Sequence, residues 1–346
     1  LRLEARKSPS FMYRLEDGLE HDKFANVKIA ILGASGLLGS AVCRTVLRRK
    51  YKVHPFSFSG VENLPEVGPV RSLDLLEGED LTRALFDLWP EVIVNCAAVS
   101  SPDTVDEDPV HARRVNVDAA EKLGQIASHL GARYLHVSTD LVFDGTASPY
   151  RSTDVPAPVN EYGRQKLDAE SLVLQACEDN VVVLRITLLN GNSPTGQRSQ
   201  HEKLLRAMVA GQTPTLFEDE FRQPSSADNV AEVLVELCER PQLNGLFHWA
   251  GAERLSRYEL GLRICARFGL SPDCLTKGKR SDLAGKLGER PGDLAFVLEP
   301  LVGKLKTRPS DVSSQLEELR VPDDLYDWYR SHAEDPSRYI RRFKIS

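Results

Sequence analysis

Tyr162 and Lys166 have the residue types and the spacing of a proton-transfer pair. They lie four residues apart within residues 161–175, whose periodicity predicts a helix, so both side chains should project from one face. A ketone that accepts hydride needs a proton donor, and a phenol with a pKa near ~10 serves near neutrality only beside a positive charge, which Lys166 would supply. Thr139 stands at the carboxyl end of a strand predicted over residues 133–138 and would hydrogen-bond the same oxygen. An isolated Tyr-x-x-x-Lys is more often an exposed helical pair, and the threonine favours the chemical interpretation.

Three glycines mark a second candidate site near the start of the chain. Gly33, Gly36 and Gly39 follow a β-branched run, residues 27–32, that predicts a buried parallel strand, and they precede apolar residues at helical spacing. This turn before a helix N-terminus lets the backbone and its N–H groups face a pyrophosphate. A tight packing turn is the alternative for a glycine triplet alone. Three further candidate cofactor contacts lie in the same turn: Ser35, Leu37 and Leu38.

The strand predicted over residues 52–57 bears on the choice of cofactor. It ends without the Asp or Glu with which an NAD-selective enzyme holds the ribose 2′-hydroxyl. Ser57 and Ser59, with Arg48 or Arg49 as charge donors, leave room for a 2′-phosphate. We therefore predict a preference for NADP(H), with NAD(H) as the alternative.

Two more pairs of residues follow predicted strands. Ala97 and Ala98 come after the strand over residues 91–96, and such small residues let a cofactor lie against the backbone. Simple close packing explains them almost as well. Asp74 and Leu75 follow a short strand near residues 70–73, where an exposed loop is the alternative to a cofactor contact.

Composition excludes several classes of function. The 346 residues carry a net charge of −6 with both signs mixed, which argues against a nucleic acid or a membrane surface as the main partner. No apolar stretch approaches the length of a membrane span, so we expect a soluble, cytoplasmic protein. The six cysteines are scattered, without C-x-x-C or paired-histidine spacing. We therefore expect reduced thiols and neither a disulfide framework nor a metal site.

Strands and helices alternate along most of the chain. This order predicts an α/β fold with a Rossmann-like doubly wound parallel sheet and a smaller C-terminal α/β substrate lobe. We predict an N-terminal arm at 1–25, a dinucleotide-binding domain at 26–189, a second lobe from residue 190 to 320, and a C-terminal tail at 321–346. The remaining predicted strands cover residues 181–186 and 245–250, and the remaining helices cover the residues up to 50, 81–88, 110–130 and 227–239.

The glycine turn, Thr139, Tyr162 and Lys166 together resemble the extended short-chain dehydrogenase/reductase family. The resemblance implies an NAD(P)-dependent oxidoreductase in which these three residues are catalytic and Tyr162 and Lys166 also contact the cofactor. It further implies that Asp74 meets the adenine amino group and that Asn116 supports the catalytic geometry. In that family, residues 225–250 return to the dinucleotide-binding domain, which leaves 190–224 and 251–320 as the substrate lobe.

Within that family, the segment VSTDLVFDGTASPYRSTDVPAPVNEYGRQKLDAES resembles dTDP-4-dehydrorhamnose reductases. This implies hydride transfer to C4 of a keto-deoxysugar carried on dTDP. Asp140 would contact the substrate. Arg222 and Gln223 stand on a predicted loop before the helix at 227–239, where a guanidinium could grip a substrate diphosphate, and an ordinary surface arginine is the alternative. Leu141 and Leu188 depart from the pattern, because a tyrosine and a tryptophan are usual there, so the sugar recognised could differ.

The same segments also resemble the β regulatory subunit of methionine adenosyltransferase. This second resemblance implies an NADP-binding protein that acts by attaching to another enzyme, with the aromatic tail at 322–346 as a docking element. Packing of those aromatic side chains on the second lobe is the alternative. The expected assembly is a homodimer, or a complex with a partner enzyme if the protein is regulatory.

Overall fold

The structure is a computed structural model that describes residues 26–177, 179–283 and 290–339. The predicted N-terminal arm lies outside these residues. Within them, seven parallel strands form the central sheet: Lys28–Leu32 (β1), Lys52–Ser57 (β2), Arg71–Ser72 (β3), Val92–Asn95 (β4), Arg133–Thr139 (β5), Val181–Ile186 (β6) and Gly245–Trp249 (β7). Their order is β3-β2-β1-β4-β5-β6-β7, which is the doubly wound order with one strand added beside β6. The predicted fold class is confirmed.

Helices cover both faces of this sheet. Along β1, Ile29 and Ile31 point into one core and Ala30 and Leu32 into the other, because successive side chains of a strand alternate between faces. The helices of the described residues are Leu37–Arg48 (α1), Gly78–Leu88 (α2), Pro102–Glu107 (α3), Pro109–Arg113 (α4), Ala119–Leu130 (α5), Glu161–Ala176 (α6), Gln200–Val209 (α7), Ala227–Cys238 (α8), Arg257–Phe268 (α9), Leu301–Lys304 (α10), Val312–Glu317 (α11) and Tyr326–His332 (α12). None of them is long and apolar enough to cross a membrane.

The helix predicted over residues 110–130 is interrupted. A π-helical turn, Arg114–Asp118, joins α4 to α5 and contains Asn116. From this wider turn, the amide of Asn116 reaches Val99, accepting from its N–H at 2.9 Å and donating to its carbonyl at 3.1 Å. The irregularity therefore ties this helix to the loop that follows β4.

A second, smaller core lies in the C-terminal half. Phe268 stands at its centre, with ring contacts to His201, Tyr329 and Tyr339. Helix α8 and strand β7, by contrast, pack in the core of the central sheet. The division of the chain into lobes at residues 190, 225 and 251 stays a proposal. Four pairs of short strands accompany the two cores: Asn63–Leu64 with Gly68–Pro69, Leu189–Asn190 with Ser225–Ser226, Thr215–Phe217 with Thr276–Gly278, and Phe221–Arg222 with Leu255–Ser256.

The described part of the predicted tail belongs to this second core. Tyr329 and Tyr339 are buried there, and Tyr326 and Trp328 are partly buried against it. Among the described residues, the tail aromatics therefore pack on the second lobe. Phe343 lies outside the described residues.

A buried ion pair joins α6 to the sheet. Glu170 of α6 accepts two hydrogen bonds from Arg185 of β6, at 2.9 and 2.7 Å, and a third from Ser138 at 2.5 Å. The side chains of both charged residues are at most 3% exposed. Removing one partner would leave the other charge buried without compensation.

We therefore expect Glu170→Ala to lower the free energy of unfolding by about 3–5 kcal/mol, as measured by urea denaturation. The matched control is Asp168→Ala on the outer face of α6, which breaks an exposed ion pair with Arg113 and should cost less than about 1 kcal/mol. Equal losses in the two variants would contradict a special role for the buried pair.

Candidate active site

The turn between β1 and α1 can exist only with glycine at particular positions. Gly33 has φ +76°, and a Cβ atom there would lie 2.7 Å from the backbone nitrogen of Ala97. At Gly39, a Cβ would collide with the carbonyl oxygen of Gly33. Helix α1 begins at Leu37 with Gly36 as its N-cap. The turn therefore brings bare backbone and a helix N-terminus to the carboxyl edge of the sheet, where phosphates bind in such folds.

A cavity of about 260 Å³ opens in front of this turn. Its lining comes from the carboxyl ends of β1 and β2 and from the loops after β3 and β4. Leu38 instead packs in the core, and Leu37 is partly buried against it. The structure brings together eight of the residues predicted to contact a cofactor: Gly33, Ser35, Gly36, Ser57, Asp74, Leu75, Ala97 and Ala98.

Three hydroxyl groups form a triangle at one side of the cavity. The Oγ atom of Ser35 lies 2.6 Å from that of Ser57 and 2.7 Å from that of Ser59, which are 3.0 Å from each other. Arg198, from the loop before α7, also lines the cavity. Its guanidinium forms no hydrogen bond or ion pair within the described part of the chain. No sequence signal pointed to Arg198, because 140 positions separate it from β2.

The two arginines predicted as charge donors for a 2′-phosphate lie elsewhere, and that prediction is wrong. Arg48 and Arg49 face α8, where Arg48 pairs with Glu232, and Arg49 contacts Glu232 at 2.9 Å and Glu239 at 3.3 Å. The reason is the helical register of α1. Its last turn presents these side chains to the neighbouring helix and not to the cavity.

Helix α6 places Tyr162 and Lys166 beside the end of β5. The side chain of Asn160 caps the helix by accepting from the N–H of Gly163 at 2.8 Å. A Cβ atom at Gly163 would collide with the carbonyl oxygen of Leu141, so this glycine allows the helix to touch the turn after β5. As a result, the Tyr162 hydroxyl lies within hydrogen-bonding reach of Thr139.

The electrostatics of Tyr162 differ from the expectation. Burial and the nearby Asp140 carboxylate raise the pKa of Tyr162, and the hydrogen bond with Thr139 lowers it. The Lys166 amino group, expected beside the phenol, lies against the sheet. Its Nζ atom lies 3.0 Å from Nε2 of His136, and both side chains are almost fully buried. Sequence analysis missed His136, although it stands three residues before Thr139 on the same strand.

A second cavity, of about 340 Å³, begins at Asp140 and Leu141. Arg222 and Leu188 also line it, as expected, and Lys203, Glu220, Arg257 and Arg290 line it without having been predicted. Tyr162 itself lines neither cavity. It belongs to a buried cluster with Val105 and Ala112, and Val99 of the first cavity and Leu141 of the second pack against this cluster.

The predicted substrate contacts have different environments. The guanidinium of Arg222 is buried, 3.1 Å from Glu220 and 3.8 Å from Asp140, and its Nη1 donates to backbone carbonyls. Gln223 is absent from the lining, because its amide bridges the backbone of Gly251 and Phe296. The cavity does receive Asp140 and Arg222, and contact of all three with a substrate stays a prediction.

Two buried carboxylate oxygens facing this cavity lack hydrogen-bond partners within the described residues. They are Oδ2 of Asp140 and Oε2 of Glu220. Burial raises the pKa of Asp140 to about 6, against the opposing effects of Arg222 and of the Thr139 hydroxyl. Buried groups without hydrogen-bond partners, and groups with a shifted pKa such as Asp140, are concentrated at sites that bind ligands.

The fold, the glycine turn and the Thr139, Tyr162 and Lys166 set are together those of the extended short-chain dehydrogenase/reductase class. The chain belongs to the family described as RmlD substrate binding domain, whose profile matches residues 27–318.

Curated relatives of two kinds are similar to this chain. Methionine adenosyltransferase 2 subunit beta of Pongo abelii is 33% identical over 258 residues, which cover 72% of this chain and 75% of that protein. A probable low-salt glycan biosynthesis reductase of Haloferax volcanii is 31% identical over 258 residues, covering 73% and 84%.

Solved structures resemble the fold. A dTDP-4-dehydrorhamnose reductase from Bacillus anthracis, in complex with NADP, aligns with a TM-score of 0.73 at 19% identity, covering 84% of this chain and 96% of that one. A hypothetical dTDP-4-dehydrorhamnose reductase from Sulfolobus tokodaii aligns with a TM-score of 0.69 at 27% identity, covering 83% and 98%.

The raised pKa of Asp140 predicts how a substitution there changes stability with pH. A carboxyl group whose pKa is about 6 in the folded state and 3.8 otherwise stabilises the fold below pH 3.8, and this contribution is lost as the pH rises through 6. Asn carries no such titration. The stability of Asp140→Asn relative to the parent should therefore improve by about 2–3 kcal/mol between pH 4 and pH 8, in urea denaturation at both values. A difference independent of pH would contradict the raised pKa.

Proposed function

We propose that this protein is an NAD(P)H-dependent reductase of a nucleotide-linked 4-keto-deoxysugar, with Tyr162 as the proton donor. The observation that carries the proposal is the position of Tyr162, beside Thr139 and in a buried cluster that one residue of the glycine-turn cavity and one of the polar cavity contact. The reductases among the similar proteins support the same class of chemistry.

The first cavity fits a nicotinamide dinucleotide. Gly33 and Gly36 leave backbone space that a Cβ atom would fill, and the N-terminus of α1 faces the place where phosphates would lie. Ser35, Ser57 and Ser59 offer hydroxyl groups for a 2′-phosphate, and Arg198 offers a positive charge. These features support NADP(H) as the preferred cofactor, with NAD(H) as the alternative.

The second cavity fits a substrate with both anionic and hydroxyl groups. Lys203, Arg257 and Arg290 add positive charge at its wall, which suits a diphosphate. The oxygens of Asp140 and Glu220 that have no hydrogen-bond partner in the described part of the chain are acceptors, which suits the hydroxyl groups of a sugar. Leu141 and Leu188 offer apolar surface where the related reductases usually have aromatic groups.

A small number of chemical groups would carry out the reduction. The bound nicotinamide supplies the hydride. Tyr162 would donate its hydroxyl proton to the carbonyl oxygen of the substrate, and Thr139 would hold that oxygen by a second hydrogen bond. Lys166, one turn further along α6, would bind the nicotinamide ribose and bring positive charge towards the phenolate that forms.

Tyr162→Phe should lower turnover by at least ~100-fold and leave cofactor affinity nearly unchanged, because it removes the proton and little else. The measurement is NADPH oxidation with dTDP-4-dehydrorhamnose, with NADH in parallel to rank the two cofactors. The matched control is Tyr258→Phe, because it makes the same chemical change at a tyrosine that packs on the second core. Turnover that survives in Tyr162→Phe would remove this residue from the mechanism.

A second candidate function is that of a dinucleotide-binding regulatory subunit. The observation in its favour is the 33% identity to methionine adenosyltransferase 2 subunit beta over most of both chains. The turning of Lys166 towards His136 and away from Tyr162 is also compatible with a protein that binds a cofactor without turnover.

The regulatory function predicts a stable complex with a methionine adenosyltransferase catalytic subunit. We expect co-elution in size-exclusion chromatography, and a change in the synthetase's kinetics that persists in Tyr162→Phe, because proton donation plays no part in it. Separate elution together with tyrosine-dependent reduction of the sugar would decide for the reductase.

A further inference from the structure

Lys166 is buried in an unusual way for a basic residue. Its side chain is 2% exposed and its Nζ atom faces Nε2 of His136, which is 1% exposed, at 3.0 Å. An ion pair with a carboxylate would be the ordinary way to bury a lysine. The nearest carboxylate on its own helix, Glu170, is already engaged by Arg185 and Ser138.

The backbone fixes the direction of the hydrogen bonds behind His136. Asn95 accepts through Oδ1 from the N–H of Ala97 at 3.0 Å, and a backbone N–H can only donate. The amide NH₂ of Asn95 therefore points the other way, donating to the Tyr134 hydroxyl at 3.2 Å, and this hydroxyl donates to the carbonyl of Ala120 at 3.1 Å. The chain of hydrogen bonds thus ends at a backbone N–H, which can only donate, and at a backbone carbonyl, which can only accept.

This direction determines which nitrogen of His136 carries the proton. The Asn95 NH₂ group lies 3.4 Å from Nδ1 of His136, so Nδ1 faces a donor and is the acceptor nitrogen. In a neutral imidazole the proton is then on Nε2, which points at Nζ of Lys166. An Nε2–H group can donate to Nζ only if the amine is neutral, because an ammonium has no lone pair.

The charges around the pair agree with this assignment. Burial lowers the pKa of Lys166 to about 8, although Glu170 and the Cys96 thiol, which follows β4, act in the opposite direction. Burial, and then Lys166 itself, holds the pKa of His136 well below its usual range, so the imidazole stays neutral. On the neighbouring β6, Arg185 is neutralised by Glu170, and Tyr162 on α6 is an un-ionised phenol.

We propose that His136 is a positioning residue whose Nε2–H group favours the neutral amine of Lys166 in the cofactor-free protein, so that dinucleotide binding takes up a proton wherever this amine is neutral. The inference rests on the proposed cofactor function. The ribose hydroxyls of a dinucleotide are acceptors for an ammonium, and their arrival favours the charged form of Lys166. Asn95 extends the connection to Ala97, which lines the cofactor cavity.

The first test needs no cofactor. Nitrogen NMR of the ¹⁵N-histidine-labelled protein reports which ring nitrogen of each histidine carries the proton, and the signals of His136 are those that disappear in His136→Gln. We expect the Nε2–H tautomer at pH 9, where the Lys166 amine is neutral. An Nδ1–H tautomer, or a doubly protonated ring, would overturn the proposal.

The second test is the pH dependence of NADPH affinity. Below pH 8, Lys166 is already protonated and binding takes up no proton there, whereas above pH 8 the proton must be taken from solution. The dissociation constant should therefore rise about fivefold between pH 8 and pH 9, and calorimetry in buffers of different ionisation enthalpy should show an uptake of about one proton at pH 9.

Two substitutions separate the proposal from a purely structural role of His136. In His136→Gln the amide oxygen can accept from an ammonium, so Lys166 should stay charged and the NADPH affinity should become flat from pH 7 to pH 9. His248→Gln is the matched control, because His248 is equally buried on β7 and burial lowers its pKa to about 3, yet it faces Arg185 and Tyr150. It should keep the parent's pH dependence.

The outcomes of these tests separate the proposed cofactor function from the proposed role of His136. Absence of NADPH binding at every pH would defeat the proposed function, and the tautomer measurement alone would then decide the role of His136. Normal binding without proton uptake, or equal pH profiles of His136→Gln and the parent, would overturn the inference and leave the proposed function intact.

Discussion

The packing of α6 on β5 and β6 is the constraint on which the candidate active site depends. The helix lies against the sheet through polar groups as well as apolar ones, and its inward face presents Lys166 to His136 and Glu170 to Arg185. Burying these groups is expensive unless each is matched in geometry, so the contact tolerates little displacement of the helix. Because Tyr162 lies one turn before Lys166, the same contact places its hydroxyl beside Thr139.

Two cavities of different character each contribute a residue that packs against the buried cluster of Tyr162. One is formed by bare backbone, small side chains and hydroxyl groups, and the other by arginine, lysine and carboxylate groups around two leucines. Two carboxylate oxygens of residues that line the second cavity have no hydrogen-bond partner among the described residues. Such groups cost stability in the free protein, and a ligand that supplies the missing donors would recover part of that cost.

The relation between Lys166 and His136 bears on both candidate functions. In a reductase, a lysine whose charged form is favoured by the cofactor would couple cofactor binding to the electrostatic activation of Tyr162. In a regulatory subunit, the same coupling would make dinucleotide affinity depend on pH without any turnover. The contact between Lys166 and His136 therefore does not distinguish the two candidate functions. Substrate binding in the second cavity and association with a partner enzyme do distinguish them.

Much of the fold and part of the site follow from the sequence. The seven strands and the doubly wound order were predictable because buried parallel strands are short β-branched runs and the intervening segments have helical periodicity. Gly33, Thr139, Tyr162 and Lys166 were recognisable because their spacing reflects local geometry. The π-helical turn at Asn116 was not, since it arises from a contact with Val99 across the fold.

By itself, the sequence determined the residue types of the site and the strands and helices that carry them, because these depend on neighbours along the chain. Only the tertiary structure decided that Arg48 and Arg49 pair with α8 while Arg198 reaches the cofactor cavity. It also decided that Lys166 faces His136, whose tautomer is set by a backbone N–H after β4 and a carbonyl of α5. Such directions depend on hydrogen bonds between segments that meet only in the folded chain.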